Sequence, residues 1–356
     1  MPRVVDQLAE LTCQRDRDVM DVSMVMALSE LVNFHSAAIH RCVGDAGDER
    51  WLTRARLKRG DIVASSDPLW LEPELLPLVE DFPHRLDCLE SQAVLQMQEQ
   101  VDGRRMWHTL FPLLAARSMP GVLEIVSVDR LAPASRRMVA GMLRVFHNFQ
   151  GLLEDSERDT LTGLFNRKTF DESFLKVVGE ERGARGTVAG SDDGGDGEAR
   201  HPPERTRCFL GVIDIDHFKQ VNDRHGHLIG DEVLLLLSRL MRGSFRFYDQ
   251  LYRFGGEEFV VLMRCASAAD ASQVLERLRY NTEQQPFPQV GHITVSVGFT
   301  EVQPGELPAE AFGRADRAVY YAKHHGRNQV RSYAQLVAAG ELKVEEHEDA
   351  SAVELF

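Results

Sequence analysis

Apolar and polar residues follow two periods along this chain, and the changes of period mark its elements. Between Asp18 and Asn33, Val19, Val22, Val25, Leu28 and Val32 recur at steps of three and four, which predicts a helix with one apolar face. Ala37–Val43 and Trp51–Leu57 predict strands joined by the polar turn Gly44-Asp45-Ala46-Gly47-Asp48. A looser helical region punctuated by Pro68, Pro73, Pro77 and Pro83 follows, and strands are predicted again over Arg105–Leu114 and Val122–Val128. The succession predicts an α/β domain over residues 1–150, with a mixed sheet covered by helices.

That domain ends in a connector helix, about residues 134–158. Met138, Met142, Val145, Phe149 and Leu152 form a heptad seam, and Val139, Leu143, Phe146 and Leu153 form a second stripe beside it. Two readings stand: a helix packed on its own domain, or a parallel two-helix connector in a homodimer.

The second half has a different grammar. Thr169–Val178 predicts a helix. Gly179–Arg207 is rich in Gly, Asp, Glu, Arg and Pro, the composition of a flexible loop. Phe209–Ile213 is an uninterrupted apolar run, as in a buried central strand. Val233–Met241 predicts a strongly apolar helix, with Asp231 as a possible N-cap. Leu251-Tyr252 and Val260–Met263 flank the pair Gly255-Gly256, which predicts a tight hairpin. A helix over Ala268–Tyr280, a strand over Ile293–Phe299 and a helix and turn over Ala315–Asn328 complete the domain. Residues 334–356 carry Glu341, Glu345, Glu346, Glu348, Asp349 and Glu354 and predict a flexible acidic tail.

Composition narrows the class. The 356 residues are 43% hydrophobic and 27% charged, as in a soluble globular protein of two or three domains. A net charge of −14 argues against a general nucleic-acid binder. No apolar run reaches the ~20 residues of a membrane helix, and no signal peptide is evident, so a cytoplasmic location is expected. Cys13, Cys42, Cys88, Cys208 and Cys265 are scattered and read as reduced thiols. His35, His40, His84 and His108 have no metal or haem spacing, so the ligand of the first domain is left unnamed.

The candidate chemistry lies in two acidic pairs. Glu257 and Glu258 sit at the predicted hairpin tip. Asp214 and Asp216 end the buried strand and, by strand alternation, share a face. Buried acids are costly without a positive partner, and a divalent metal supplies one, with carboxylates and phosphates as its ligands. Asp214 and Glu257 together predict a clamp for ions on a nucleoside triphosphate, arranged for in-line displacement at phosphorus.

Five segments in order carry a family resemblance: Asp159–Arg167 (D-T-L-T-G-L-F-N-R), Cys208–Asp216, His217–Asp231 (H-F-K-Q-V-N-D-R-H-G-H-L-I-G-D), Arg253–Phe259 (R-F-G-G-E-E-F) and Ala315–Asn328. Together they resemble the GGDEF-domain diguanylate cyclases, with Glu at the third signature position, over residues 159–333. The resemblance implies an α+β fold, a ferredoxin-like palm as in nucleotide cyclases, with a central antiparallel sheet. By pattern and context the first domain resembles a GAF-type sensory domain, with a PAS-like module as the alternative.

The resemblance also implies an activity: condensation of two GTP into cyclic di-GMP with release of two pyrophosphates, by a homodimer that uses Mg²⁺ (or Mn²⁺). Asp214, the Ile215 carbonyl, Glu257 and Glu258 would hold metal. Glu257, Glu258 and Lys219 would be catalytic. Phe218, Lys219, Asn222, His227, Asp231, Gly255, Gly256, Lys323 and Arg327 would bind substrate. Asn222 and Asp231 would read guanine, since a carboxylate accepts from guanine N1 and N2. Lys323 and Arg327 would share one helical face if the helix extends to both. Arg246 and Asp249, in the form RxxD, and Arg277 would build an inhibitory site for the product. The alternative is a catalytically inactive cyclic di-GMP-binding effector.

Overall fold

The computed structural model describes residues 2–13, 17–44, 47–67, 73–101, 103–113, 119–186 and 207–343. The chain divides into two compact units, Met1–Ser156 and Glu157–Phe356. Among the described residues no helix is long and apolar enough to cross a membrane.

The first unit runs α1 (Pro2–Cys13), α2 (Arg17–Leu31), β1 (Ser36–Val43), β2 (Arg50–Lys58), α3 (Pro83–Ser91), β3 (Leu95–Val101), β4 (Arg104–Leu113), β5 (Gly121–Ser127) and α4 (Pro133–Glu157). Its sheet has the order β2-β1-β5-β4-β3. Every pair in it is antiparallel, which corrects the expected mixed sheet. The strand β3 was not predicted. Its Gln96, Gln98 and Gln100 alternate with Leu95 and Met97 at the sheet edge, where burial is too slight to leave an apolar run.

Strand alternation gives this sheet two faces. Ala37, Ile39, Ala55, Leu57, Phe111, Leu113, Leu123 and Ile125 share one core with Met20, Met24 and Leu28 of α2 and Val139, Met142, Leu143 and Phe146 of α4. The second stripe of α4 therefore packs largely on its own domain. From the heptad seam, Met142 is buried with it, while Val145 and Leu152 are 38% and 69% exposed. Trp51, Leu110 and Val122 lie in a second core with Cys88 of α3. There Glu124 accepts from Arg85 at 2.7 Å and pairs with His108 Nδ1 at 2.7 Å, with His40 Nε2 at 3.5 Å. Burial opposes the Glu124 charge, but these hydrogen bonds and the Arg85 charge outweigh it and hold the carboxyl well below the usual range.

The second unit runs β6 (Phe165–Asn166), α5 (Arg167–Gly186), β7 (Arg207–Ile215), α6 (Phe218–His225), α7 (His227–Ser244), β8 (Gln250–Gly255), β9 (Glu258–Cys265), α8 (Ala268–Gln284), β10 (Val295–Glu301), α9 (Pro308–His324), β11 (Val330–Ser332) and α10 (Tyr333–Ala338). The sheet order is β11-β10-β7-β9-β8-β6. The four central strands are antiparallel, and the short edge strands β11 and β6 add in parallel. One face, with Phe209, Ile213, Phe259 and Val261, packs on α6, α7 and α8. The other, with Leu210, Val212, Val260 and Leu262, packs on Phe170 and Phe174 of α5 and on α9.

Four local expectations change. Helix α5 continues to Gly186, into the expected loop; the rest of that loop, 187–206, lies outside the described residues. Asp231 is inside α7, whose N-cap is Gly226, so it caps nothing. Helix α9 ends at His324, and Arg327 has φ +60°, so Lys323 and Arg327 do not share a helical face. The start of the expected tail is α10, with Leu336 buried against Ala318; residues 344–356 lie outside the described residues.

One glycine sets how closely α9 approaches the sheet. A Cβ on Gly298 of β10 would run into the α9 backbone at Ala315 and Val319. The α9 face there is Ala311, Ala315, Ala318 and Ala322, all fully buried. Backbone cannot yield as a side chain can, so Gly298→Ala is expected to destabilise the second unit by about 1–3 kcal/mol through overpacking. A urea midpoint unchanged from wild type would refute this packing.

Candidate functional site

The hairpin β8–β9 presents its turn at one end of the sheet. Gly255 has φ +143° and Gly256 φ +51°, conformations that a side chain disfavours, which accounts for the glycine pair. The tip is braced from behind. Arg253 donates to the Gly256 carbonyl at 2.9 Å and to both carboxylate oxygens of Asp159, at 3.0 and 3.2 Å. Asp159 also accepts from the backbone and hydroxyl of Thr162, at 2.8 and 2.7 Å. Burial pushes the Asp159 carboxyl up, but these bonds outweigh it and hold it below the usual range. Sequence reasoning used Asp159 only as the first residue of a motif. Its link to Arg253 spans 94 positions and has no local signal.

Glu258 is the cross-strand neighbour of Asp214, where β9 pairs with β7. Cross-strand neighbours lie on one face, so the two acids are brought together. Asp214 is 5% exposed, and the Lys323 ammonium is 2.7 Å from its Oδ1. Burial, with repulsion from Glu257 and Glu258, pushes the Asp214 carboxyl up to about 6 despite Lys323. Glu257 is raised too, by burial and by Glu258, against the pull of Lys323.

Metal binding was expected here, and the donor chemistry fits it in one form. Among the described residues no three His, Cys, Asp or Glu side chains converge to hold an ion by themselves. Magnesium commonly takes one or two carboxylates and completes its shell with water and substrate phosphates, so Asp214 with a hairpin glutamate is a sufficient protein share. Burial is the main cause that raises the Asp214 and Glu257 carboxyls, with the neighbouring glutamates adding to it, and a divalent cation would favour their charged forms.

Asp216 does not share the surroundings of Asp214. It follows the end of β7, and its carboxylate accepts from Thr294 Oγ1 and Ser296 Oγ, both at 2.7 Å, and from the Asn328 backbone at 3.0 Å. These neutral donors stabilise the Asp216 carboxylate without the positive partner that burial alone predicts for it.

The other expected residues are distributed as follows. Ile215 ends β7 and Phe218 is buried at the start of α6. Lys219 is exposed on α6, His227 is exposed at the start of α7, and Asp231 is half-buried in α7. Asn222 and Gly230 are in contact: a Cβ on Gly230 would collide with the Asn222 amide oxygen. Arg327 is exposed in the turn after α9. Arg246 and Asp249 form one turn: the Arg246 backbone donates to Asp249 Oδ2 at 2.9 Å, and the Arg246 guanidinium donates to the Tyr248 hydroxyl. Burial pushes the Asp249 carboxyl up to about 6, against the charges of Arg246 and Arg277, so Arg277 belongs to this cluster. Arg277 itself donates to the Ser244 carbonyl.

The Lys323 contact can be measured without substrate. Lys323 lowers the Asp214 value, so Lys323→Met removes a stabiliser of the carboxylate and should move the Asp214 midpoint above about 6. Carboxyl NMR titration of metal-free protein reads this directly. An unmoved midpoint would mean that the two groups are not paired.

Residues 198–329 match the profile of the family described as "Diguanylate cyclase, GGDEF domain". The chain is 39% identical over 189 residues to diguanylate cyclase DgcP of Pseudomonas aeruginosa, covering 51% of this chain and 25% of that protein. It is 36% identical over 177 residues to diguanylate cyclase DgcZ of Escherichia coli, covering 49% and 52%. It is 35% identical over 191 residues to the response regulator PleD of Caulobacter vibrioides, covering 52% and 37%. The chain thus spans about a quarter to a half of the length of these curated relatives. The second unit of this chain carries a GGDEF domain of the diguanylate cyclase type.

Proposed function

We propose that this protein is a diguanylate cyclase that joins two GTP into cyclic di-GMP and releases two pyrophosphates. The observation that carries the reading is the placing of Asp214 opposite Glu258 across β7 and β9, with Lys323 paired to Asp214 and Glu257 next to Glu258 in the hairpin turn. Asp214, the Ile215 carbonyl, Glu257 and Glu258 would hold Mg²⁺ (or Mn²⁺), which supplies charge neutralisation at the reacting phosphate.

The protein's own residues divide the remaining work. Gly255 and Gly256 leave the hairpin backbone open to the triphosphate. Lys219, Lys323 and Arg327 meet phosphate charge, and Lys219 steadies the charge that develops during displacement. Phe218 anchors the turn that carries Lys219. Asn222 and Asp231 accept and donate along the guanine edge, and His227 lies at the mouth of the same α6–α7 corner. Glu257 accepts the proton of the attacking 3′-hydroxyl, assisted by Glu258, and its raised basicity suits that role. One site binds one GTP, so two domains must face each other, and the acting unit is a homodimer. Val145 and Leu152, exposed apolar positions seven residues apart on α4, support a helical connector between protomers. The first unit is then a regulatory domain, GAF-like or PAS-like, for a ligand that its residues do not name.

The test is incubation of the purified chain with GTP, ATP and Mg²⁺, with products identified by mass. Cyclic di-GMP from GTP alone is expected. Glu257→Gln keeps the shape and loses the charge, so it should reduce turnover at least ~100-fold, the usual size of a general-base contribution, with an unchanged circular dichroism spectrum. Full activity in that variant would sink the assignment.

The turn of Arg246 and Asp249, with Arg277, is the proposed site of product inhibition. Arginine offers a planar fork to phosphate, and aspartate accepts from guanine N1 and N2. Bound product would then lower activity from a second site by favouring a non-productive pairing of domains. With pyrophosphate removed, the wild-type progress curve should slow as product accumulates, and Arg246→Ala should slow less. Curves that superimpose after scaling to their initial rates would rule the site out.

A further inference from the structure

We propose that Asp216 is a positioning residue that holds the turn Gly326–Asn328, and with it Arg327, beside the end of β7. This rests on the reading of Arg327 as a phosphate contact. The turn needs an external hold. Gly326, Arg327 and Asn328 have φ of +108°, +60° and +44°, three successive left-handed residues, which arginine disfavours and asparagine tolerates. Only the first of the three is glycine, so the conformation persists because its surroundings impose it.

Those surroundings are two anchors. The first is Asp216, whose Oδ2 accepts the Asn328 N–H at 3.0 Å. Asp216 is itself fixed by Thr294 Oγ1, by Ser296 Oγ and by its own N–H, which donates to the Thr294 carbonyl at 2.9 Å. The second anchor is the Asn328 side chain. Its Oδ1 accepts from Arg279 Nη1 at 2.8 Å, and its Nδ2 donates to Glu283 Oε1 at 2.8 Å, both on α8. Arg279 is locked in turn by Glu276 and Glu283, at 2.7 and 2.9 Å. Asn328 therefore ties α8 to the residue that follows Ile215, and Arg327 projects from the stretch between this knot and the end of α9.

The geometry separates the two acids of Asp214-Ile215-Asp216 by function. Asp214 faces Glu258 and Lys323, whereas Asp216 is saturated by neutral donors and acts through Asn328. An amide at position 216 retains the arrangement: its oxygen accepts from Thr294 and Asn328, and its NH₂ donates to Ser296 Oγ, which turns from donor to acceptor. Alanine leaves all three donors without an acceptor.

The test uses the full chain. Asp216→Ala should raise the KM for GTP about tenfold, the size of one lost charge-assisted hydrogen bond, with a smaller change in kcat. Asp216→Asn should stay within about threefold of wild type. The Mg²⁺ concentration for half-maximal rate should be the same in all three proteins. Combined with Arg327→Ala, Asp216→Ala should add nothing further to the KM, because it acts through that residue. Should Asp216→Ala unfold, Asn328→Ala, which severs the α8 anchor, should show the same KM rise and the same non-additivity. If Asp216→Asn instead abolishes turnover and shifts the Mg²⁺ requirement, Asp216 is a metal ligand and the proposal falls. If the KM effects add to those of Arg327→Ala, Asp216 does not act through the turn. Hydrogen exchange of the Asn328 amide is independent of any reaction: it should quicken in Asp216→Ala even if the chain turns over no GTP, and unchanged exchange would overturn the hold itself.

Discussion

The second unit is organised around a surplus of negative charge at the end of its central strands. Asp214 and Glu258 are neighbours across β7 and β9, Glu257 adjoins them, and Lys323 is paired with Asp214. A buried carboxylate costs several kcal/mol unless a positive partner answers it. Lys323 answers part, yet burial, with the repulsion of the neighbouring glutamates, still raises the Asp214 and Glu257 carboxyls.

The rest of the unit keeps that charge in place. The alanine face of α9 lies against Gly298, which brings the helix carrying Lys323 close to β10. Arg253 and Asp159 brace the hairpin tip that carries Glu257. Asp216 secures the turn beyond α9. Each support is a close backbone approach or a set of hydrogen bonds that fixes a segment beside the acidic end of the sheet.

The first unit handles its buried charge in the opposite way. Glu124 is closed by Arg85 and His108, with His40 beside it, and its carboxyl is held low instead of being pushed up. Charge there is neutralised within the sheet and its covering helix α3. A balanced cluster of this kind fastens α3 to its sheet.

Much of this was legible in the sequence because it follows from local rules. The apolar run before Asp214, the Gly255-Gly256 turn with its two glutamates, and the period of the α7 and α9 residues each depend on neighbours within a few positions. The ordered motifs of the second half identify the GGDEF domain from residues alone. The strand β3 was hidden because its glutamines, Gln96, Gln98 and Gln100, leave no apolar run. The end of α9 at His324 is signalled only by Gly326, since the left-handed residues that follow it, Arg327 and Asn328, are not glycine. On α4 the seam residues that pack on the domain, such as Met142, and those left exposed, Val145 and Leu152, looked alike, since heptad spacing does not say what covers a face. Above all, the sequence offers Asp214 and Asp216 as equivalent acids, two residues apart on one strand. Only tertiary structure distinguishes them, because the groups that decide their chemistry, Glu258 and Lys323 for one, Thr294, Ser296 and Asn328 for the other, are supplied by distant segments of the chain.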